Sequence, residues 1–132
     1  MIPDGRTLIL VADGRRARLF EEARRGGSLT EHAAWLADLF ISPTPAHGWR
    51  GGGEKAEAGF LTRLAHRLDA LFTRHRFDHL ILIAAPRSLG QLRRHLAAGL
   101  KARLELSDPH DRLAASLDDI QQTVRALRRV NA

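Results

Sequence analysis

The chain has 132 residues, 44% of them hydrophobic and 27% charged, with a formal charge of +6 and no cysteine. That is one domain's worth of an ordinary globular protein, long enough to bury a core. It excludes a disulfide framework, a thiolate metal site and a cysteine nucleophile, and no run of about 18 apolar residues is present to cross a membrane.

Residues 7–12 (Thr-Leu-Ile-Leu-Val-Ala) form a nearly continuous apolar run, as a buried strand does. Asp13-Gly14 then signals a hairpin, and residues 16–21 mix polar and apolar side chains like a partner strand. Arg24-Arg25-Gly26-Gly27 marks a second turn, and residues 28–38 are expected to be a third strand with Leu29, Trp35 and Leu36 as its apolar positions. A Pro- and Gly-rich segment at about 41–57 breaks the pattern; long loops of this composition are functional or flexible.

From residue 56 to 74 the period is helical. Phe60, Leu61, Leu64, Leu68, Leu71 and Phe72 share one apolar face, while Arg63, Arg67 and Arg74 share another with His66 nearby. Residues 77–84 read as a central strand covered on both sides. A second helix opens at Pro86 or Arg87 and carries Leu89, Leu92, Leu96 and Leu100 inward. Residues 102–107 are a last strand. Ser116-Leu117-Asp118-Asp119 has the form of a capping box and starts a final helix with Leu117, Ile120, Val124 and Leu127 inward and Arg125, Arg128 and Arg129 in its last turns, where cations suit the helix dipole. The order β-β-β-α-β-α-β-α predicts a single α/β domain over residues 1–132, with a mixed β-sheet flanked by helices.

The cations are 19 arginines and 2 lysines. Residues 1–55 hold 8 basic and 7 acidic side chains, residues 56–104 hold 9 and 3, and residues 105–132 hold 4 and 5. The excess therefore sits in the middle of the chain, which is how a nucleic-acid footprint begins, although arginines spread over solvated helix faces give the same count.

Among the reactive groups, the seven histidines contain no HExxH, and Asp108-Pro109-His110-Asp111 is the densest cluster of metal-type ligands, without a second motif to complete a shell. No metal or cofactor is expected. Ser88 follows a strand but lacks the G-x-S-x-G surroundings of a nucleophile elbow, and reads as a helix-start residue whose hydroxyl accepts free amide hydrogens. Gly51-Gly52-Gly53 precedes a helix without the G-K-[ST] of a phosphate loop. There remains a Gly-rich loop beside a basic helix. Arg50, Gly52, Gly53, Glu54, Lys55, Arg63, Arg67 and Arg74 are the candidate nucleic-acid contacts, since phosphates need only positioned cations and donors. Trp49 is the aromatic within that loop.

Residues 60–68 (Phe-Leu-Thr-Arg-Leu-Ala-His-Arg-Leu) and 76–90 (Arg-Phe-Asp-His-Leu-Ile-Leu-Ile-Ala-Ala-Pro-Arg-Ser-Leu-Gly) resemble the bacterial host-attachment family. Residues 11–20, Val-Ala-Asp-Gly-Arg-Arg-Ala-Arg-Leu-Phe, are similar to that family's opening hairpin, and the tail from Glu105 to Ser116 is similar to its end, with Ser107-Asp108-Pro109-His110 departing from the usual wording. The family is in turn similar to the middle domain of archaeal and eukaryotic class-one peptide-chain release factors. There a Gly-Gly-Gln loop precedes a basic helix and a buried strand. Here Gly52-Gly53-Glu54 stands in that place. Glu54 lacks the donor of the glutamine amide, so hydrolysis is not implied; the scaffold and an affinity for RNA or the ribosome are.

The expected function is thus a non-catalytic, cytoplasmic protein binding RNA or the ribosome through the loop and the arginine-bearing helix. A direct or indirect role in attachment to host cells is the alternative. A hydrolase acting through Glu54 or the Asp108/Asp111 pair is the third reading. The helix faces leave room for a homo-oligomer contact that nothing in the sequence demands.

Overall fold

A computed structural model describes residues 5–40 and 53–131. Five strands form one mixed sheet in the order β3-β2-β1-β4-β5. β1 (Thr7–Ala12) lies antiparallel to β2 (Ala17–Glu22) and parallel to β4 (His79–Ala84); β3 (Leu29–Glu31) is antiparallel to β2, and β5 (Leu104–Asp108) parallel to β4. Between and after them run α1 (Gly53–Arg74), α2 (Pro86–His95), α3 (Ala98–Lys101) and α4 (Leu117–Val130). The mixed α/β sheet flanked by helices is the one expected from the order of elements.

Alternation along the strands divides the core in two. Leu8, Leu10, Leu19, Leu80 and Leu82 point to one face and pack on Leu61, Leu64 and Leu68 of α1 and Leu92 of α2. Ile9, Val11, Phe20, Ile81 and Ile83 point to the other and pack on Ile120 and Val124 of α4. Covering both faces is why β1 and β4 read as continuous apolar runs rather than alternating ones.

Local chemistry sets the turns. After β1, the Asp13 carboxylate accepts from the amides of Arg15 and Arg16, and the Asp13 amide donates to the carbonyl of Arg16. The hairpin loop is therefore four residues long, between the paired Ala12 and Ala17. Gly26, with φ of +83°, supplies the left-handed residue of the next turn.

Several sequence expectations are corrected. The third strand stops at Glu31, and residues 33–35 and 37–40 form two 3-10 turns; the alanine-rich stretch has too few β-formers to prolong the pairing. The loop expected at 41–57 ends earlier, because Gly53, Glu54 and Lys55 already belong to the first turn of α1; residues 41–52 lie outside the described residues. The helix expected through Leu100 is two helices. Leu96 and Ala97 are extended and turn the chain back to the sheet, where the Leu80 amide donates to the Arg103 carbonyl. Ser88 does not cap α2. Ala85 holds the N-cap position with Pro86 at the first turn, and Ser88 is buried, because proline's fixed φ and missing N–H suit the first helical position.

The expected cap of α4 is present: Ser116 is extended and its hydroxyl accepts from the Asp119 amide at 3.0 Å. Ser116→Ala is expected to lower the unfolding free energy by about 1 kcal/mol, and Ser116→Gly by only about a few tenths. Urea melts of the two variants, compared at equal m-value, check this.

Candidate functional site

The arginines fall into two populations. The first ties elements together. Arg18 of β2 binds both carboxylate oxygens of Glu31 at 2.9 Å and the carbonyls of Leu113 and Ala115. Arg6 bonds Glu21 at 2.6 Å and the carbonyl of His75, and lies over the ring of Phe77. Arg128 reaches from α4 to Glu22 and Glu105, and Arg112 holds Asp108. Arg128 is thus turned inward rather than lying free at the end of α4. Arg67 grips Asp38 at 2.8 and 2.5 Å and the Trp35 carbonyl at 2.7 Å. Its hydrogen bonds to Asp38 hold that carboxyl below its ordinary range.

The second population is exposed and makes no hydrogen bond or ion pair among the described residues. Lys55, Arg63 and Arg74 stand on α1, Arg93 and Arg94 on α2, and Lys101 on α3. These helices cover the same face of the sheet, and α2 and α3 contain no acidic residue. Arg93, Arg94 and Lys101 converge on an open groove of about 320 Å³ with Gly90 and Leu104. Exposed, unpaired cations also occur at Arg16, Arg24, Arg76, Arg103 and Arg129, but none of these lies on a helix of that layer.

Of the candidate contacts, Arg50 and Gly52 lie outside the described residues. Gly53, Glu54 and Lys55 are helical rather than part of a loop. Arg63 and Arg74 are exposed on α1 as expected, whereas Arg67 is held by Asp38. Arg93, Arg94 and Lys101 were not among the expected contacts. Their signal in the sequence is the acid-free stretch from Ala84 to Arg103. The Asp108–Asp111 cluster is divided: Asp108 is buried between His110 and Arg112, each at 2.5 Å, while exposed Asp111 accepts from the Leu113 amide.

A second feature stands at the end of α1. Trp35 is stacked between two imidazoles, His32 at 3.7 Å and His75 at 4.3 Å between ring centroids, with Phe77 edge-on. His32 bonds Glu21 at 2.9 Å. Burial pushes the Glu21 carboxyl up, but hydrogen bonds from Arg6 and His32 bring it to a net lowering. Beside the stack runs a groove of about 490 Å³ lined by Trp35, Arg67, Leu71, Arg74 and His75.

The chain leaves α1 through a Schellman turn: the amides of Arg76 and Phe77 donate to the carbonyls of Thr73 and Phe72. Arg76 takes the left-handed position at φ of +57° that glycine normally fills. Arg76→Gly is expected to raise stability by about 0.5–1 kcal/mol, because it relieves the Cβ penalty at that position. A raised Tm with unchanged circular dichroism checks it.

The sequence model of the family described as "protein required for attachment to host cells" matches residues 42–124. The chain belongs to this family. No curated protein matches it. In this member of the family the matched span includes every unpaired cation of the α1–α3 layer among the described residues, together with the α1 side of the groove (Arg67, Leu71, Arg74 and His75), whereas β1–β3, Arg18 and the groove's Trp35 precede it. Among the described residues no helix is long and apolar enough to cross a membrane.

Proposed function

We propose that this member of the host-attachment family is a non-catalytic, cytoplasmic RNA-binding protein, acting on free RNA or on the ribosome, with the outer surface of α1, α2 and α3 as its contact face. The observation that carries the reading is the segregation of cations. Arg6, Arg18, Arg25, Arg67, Arg112 and Arg128 are tied to carboxylates, and the other unpaired arginines (Arg16, Arg24, Arg76, Arg103 and Arg129) lie singly off these helices, while Lys55, Arg63, Arg74, Arg93, Arg94 and Lys101 stand unpaired together on one helical layer. Guanidinium groups suit phosphate oxygens, and such contacts fix a nucleic acid in place without reading its sequence.

The proposal also draws on the resemblance read from the sequence to the release-factor middle domain, a basic helix followed by a buried strand with Glu54 in the place of the glutamine. Arg50, Gly52, Gly53 and Glu54, which adjoin Lys55 in the sequence, are proposed as further contacts. The test is filter binding to RNA, together with pelleting with ribosomes, at low and at moderate salt. Retention at low salt that weakens as salt rises supports the reading. No retention at low salt removes it.

The family's description favours a second reading, a role in attachment to host cells. Cell fractionation separates the two: recovery with ribosomes supports the first, and recovery at the cell surface the second.

A further inference from the structure

Resting on the RNA reading above, we infer that the groove at the C-terminal end of α1 is a site for one unpaired nucleobase, which stacks on His75 while its phosphate is held by Arg74.

The two ends of the aromatic stack differ. The His32 end is tied up: its Nε2 bonds Glu21, which is also bound by Arg6. The His75 end is part-exposed and borders the groove. One face of its ring lies on Trp35 and Phe77 meets it edge-on, and no ring lies against its other face among the described residues. Neither ring nitrogen of His75 has a hydrogen-bond partner there, and the side chain lines the groove. An imidazole already stacked on an indole is a preorganised surface for another flat ring, and its in-plane nitrogens stay available to the sugar or phosphate beside a stacked base.

The charge around the groove fits the rest of a nucleotide. Arg74 is exposed, unpaired and adjacent to His75, and Arg67 lines the same groove. Arg67 is already neutralised by Asp38, so the phosphate contact falls to Arg74. The groove's volume of about 490 Å³ is within the range of small-ligand clefts. A base paired inside a duplex cannot present its face to the stack, whereas an unpaired one can. The layer of cations thus provides the general hold on the backbone, and the groove a preference for single strands.

The support is fixed from behind. The Arg67 guanidinium holds the Trp35 carbonyl, and Arg6 holds the His75 carbonyl. Trp35 and His75 therefore face each other without needing the ligand to order them, which lowers the cost of binding.

The experiment compares an eight-nucleotide single-stranded RNA, the same sequence as a duplex, and a single strand of equal length with abasic positions, each titrated at one low salt concentration. The native protein is expected to bind the base-bearing strand about tenfold more tightly than the abasic one, with a smaller margin over the duplex. His75→Ala is expected to bring base-bearing and abasic strands to the same affinity and leave duplex binding unchanged. If the abasic strand binds the native protein as tightly as the base-bearing one, the stacking site is wrong whatever the variant does. The same holds if His75→Ala keeps the preference. Both outcomes leave the backbone reading standing. Failure of all three RNAs to bind removes both proposals together.

Discussion

Arg128→Met is expected to lower the unfolding free energy by about 3–5 kcal/mol, the usual cost of stranding a buried charge. The Arg128 side chain is 13% exposed and that of Glu22 is 2% exposed. The guanidinium meets both Glu22 oxygens at 2.8 Å and one Glu105 oxygen at 3.0 Å. Glu105 keeps a second cation, Arg25 at 2.8 Å, but Arg128 is the one arginine bonded to Glu22 among the described residues, so Glu22 bears the loss. The double variant Glu22→Leu with Arg128→Met removes both charges and is expected to recover most of the deficit, since an apolar pair in place of a buried ion pair is often neutral or better. Urea unfolding of the two single variants and the double variant gives the coupling. A single variant within about 0.5 kcal/mol of the native protein would show that the pair is no fastener.

Glu105 of this network and Glu31, paired separately with Arg18, predict acid sensitivity. Burial pushes the Glu105 carboxyl up, but hydrogen bonds and charge from Arg128 and Arg25 leave it net lowered; Glu31 is lowered chiefly by its bonds to Arg18. With folded values below the ordinary 4.5, the unfolded chain binds more protons in the interval between the two. Their contribution is therefore complete above that ordinary value and declines as pH falls through the folded values. Urea midpoints that stay level on going from pH 6 to about pH 3 would contradict this.

Reversing three cations of the helical layer (Arg63→Glu, Arg93→Glu, Arg94→Glu) is expected to weaken RNA binding by about two to three orders of magnitude at about 50 mM salt. Counterion release makes each phosphate contact to a single strand worth about 0.7 in the slope of log K against log salt, so the slope should shrink by about two. The control reverses Arg16, Arg24 and Arg129, which are exposed and unpaired but stand off that layer. Each Arg→Glu change removes two positive charges, so both triple variants go from +6 to zero. Equal losses in the two would mean that net charge alone attracts RNA and that α1–α3 is no interface. A large loss confined to the first places the contact on the helices.

What could be read along the chain was what neighbouring residues settle between themselves. The apolar runs of β1 and β4, the leucine period of α1 and the serine cap of α4 are short-range patterns, and each reappears within a few residues of its expected place. The end of β3 and the break between α2 and α3 escaped, because runs of Ala and Leu suit several conformations and the sheet's geometry chooses among them. The division of the arginines was out of reach altogether. Arg128 and Glu22 are 106 residues apart and Arg67 and Asp38 are 29 apart, and nothing in the local sequence distinguishes a guanidinium that will be buried against a carboxylate from one left facing water. Trp35 and His75 likewise meet only because a 3-10 turn and the end of α1 are packed on one side of the sheet. Composition gave the amount of positive charge; folding allotted it, since an ion pair or a ring stack depends on proximity in space that the linear order does not encode.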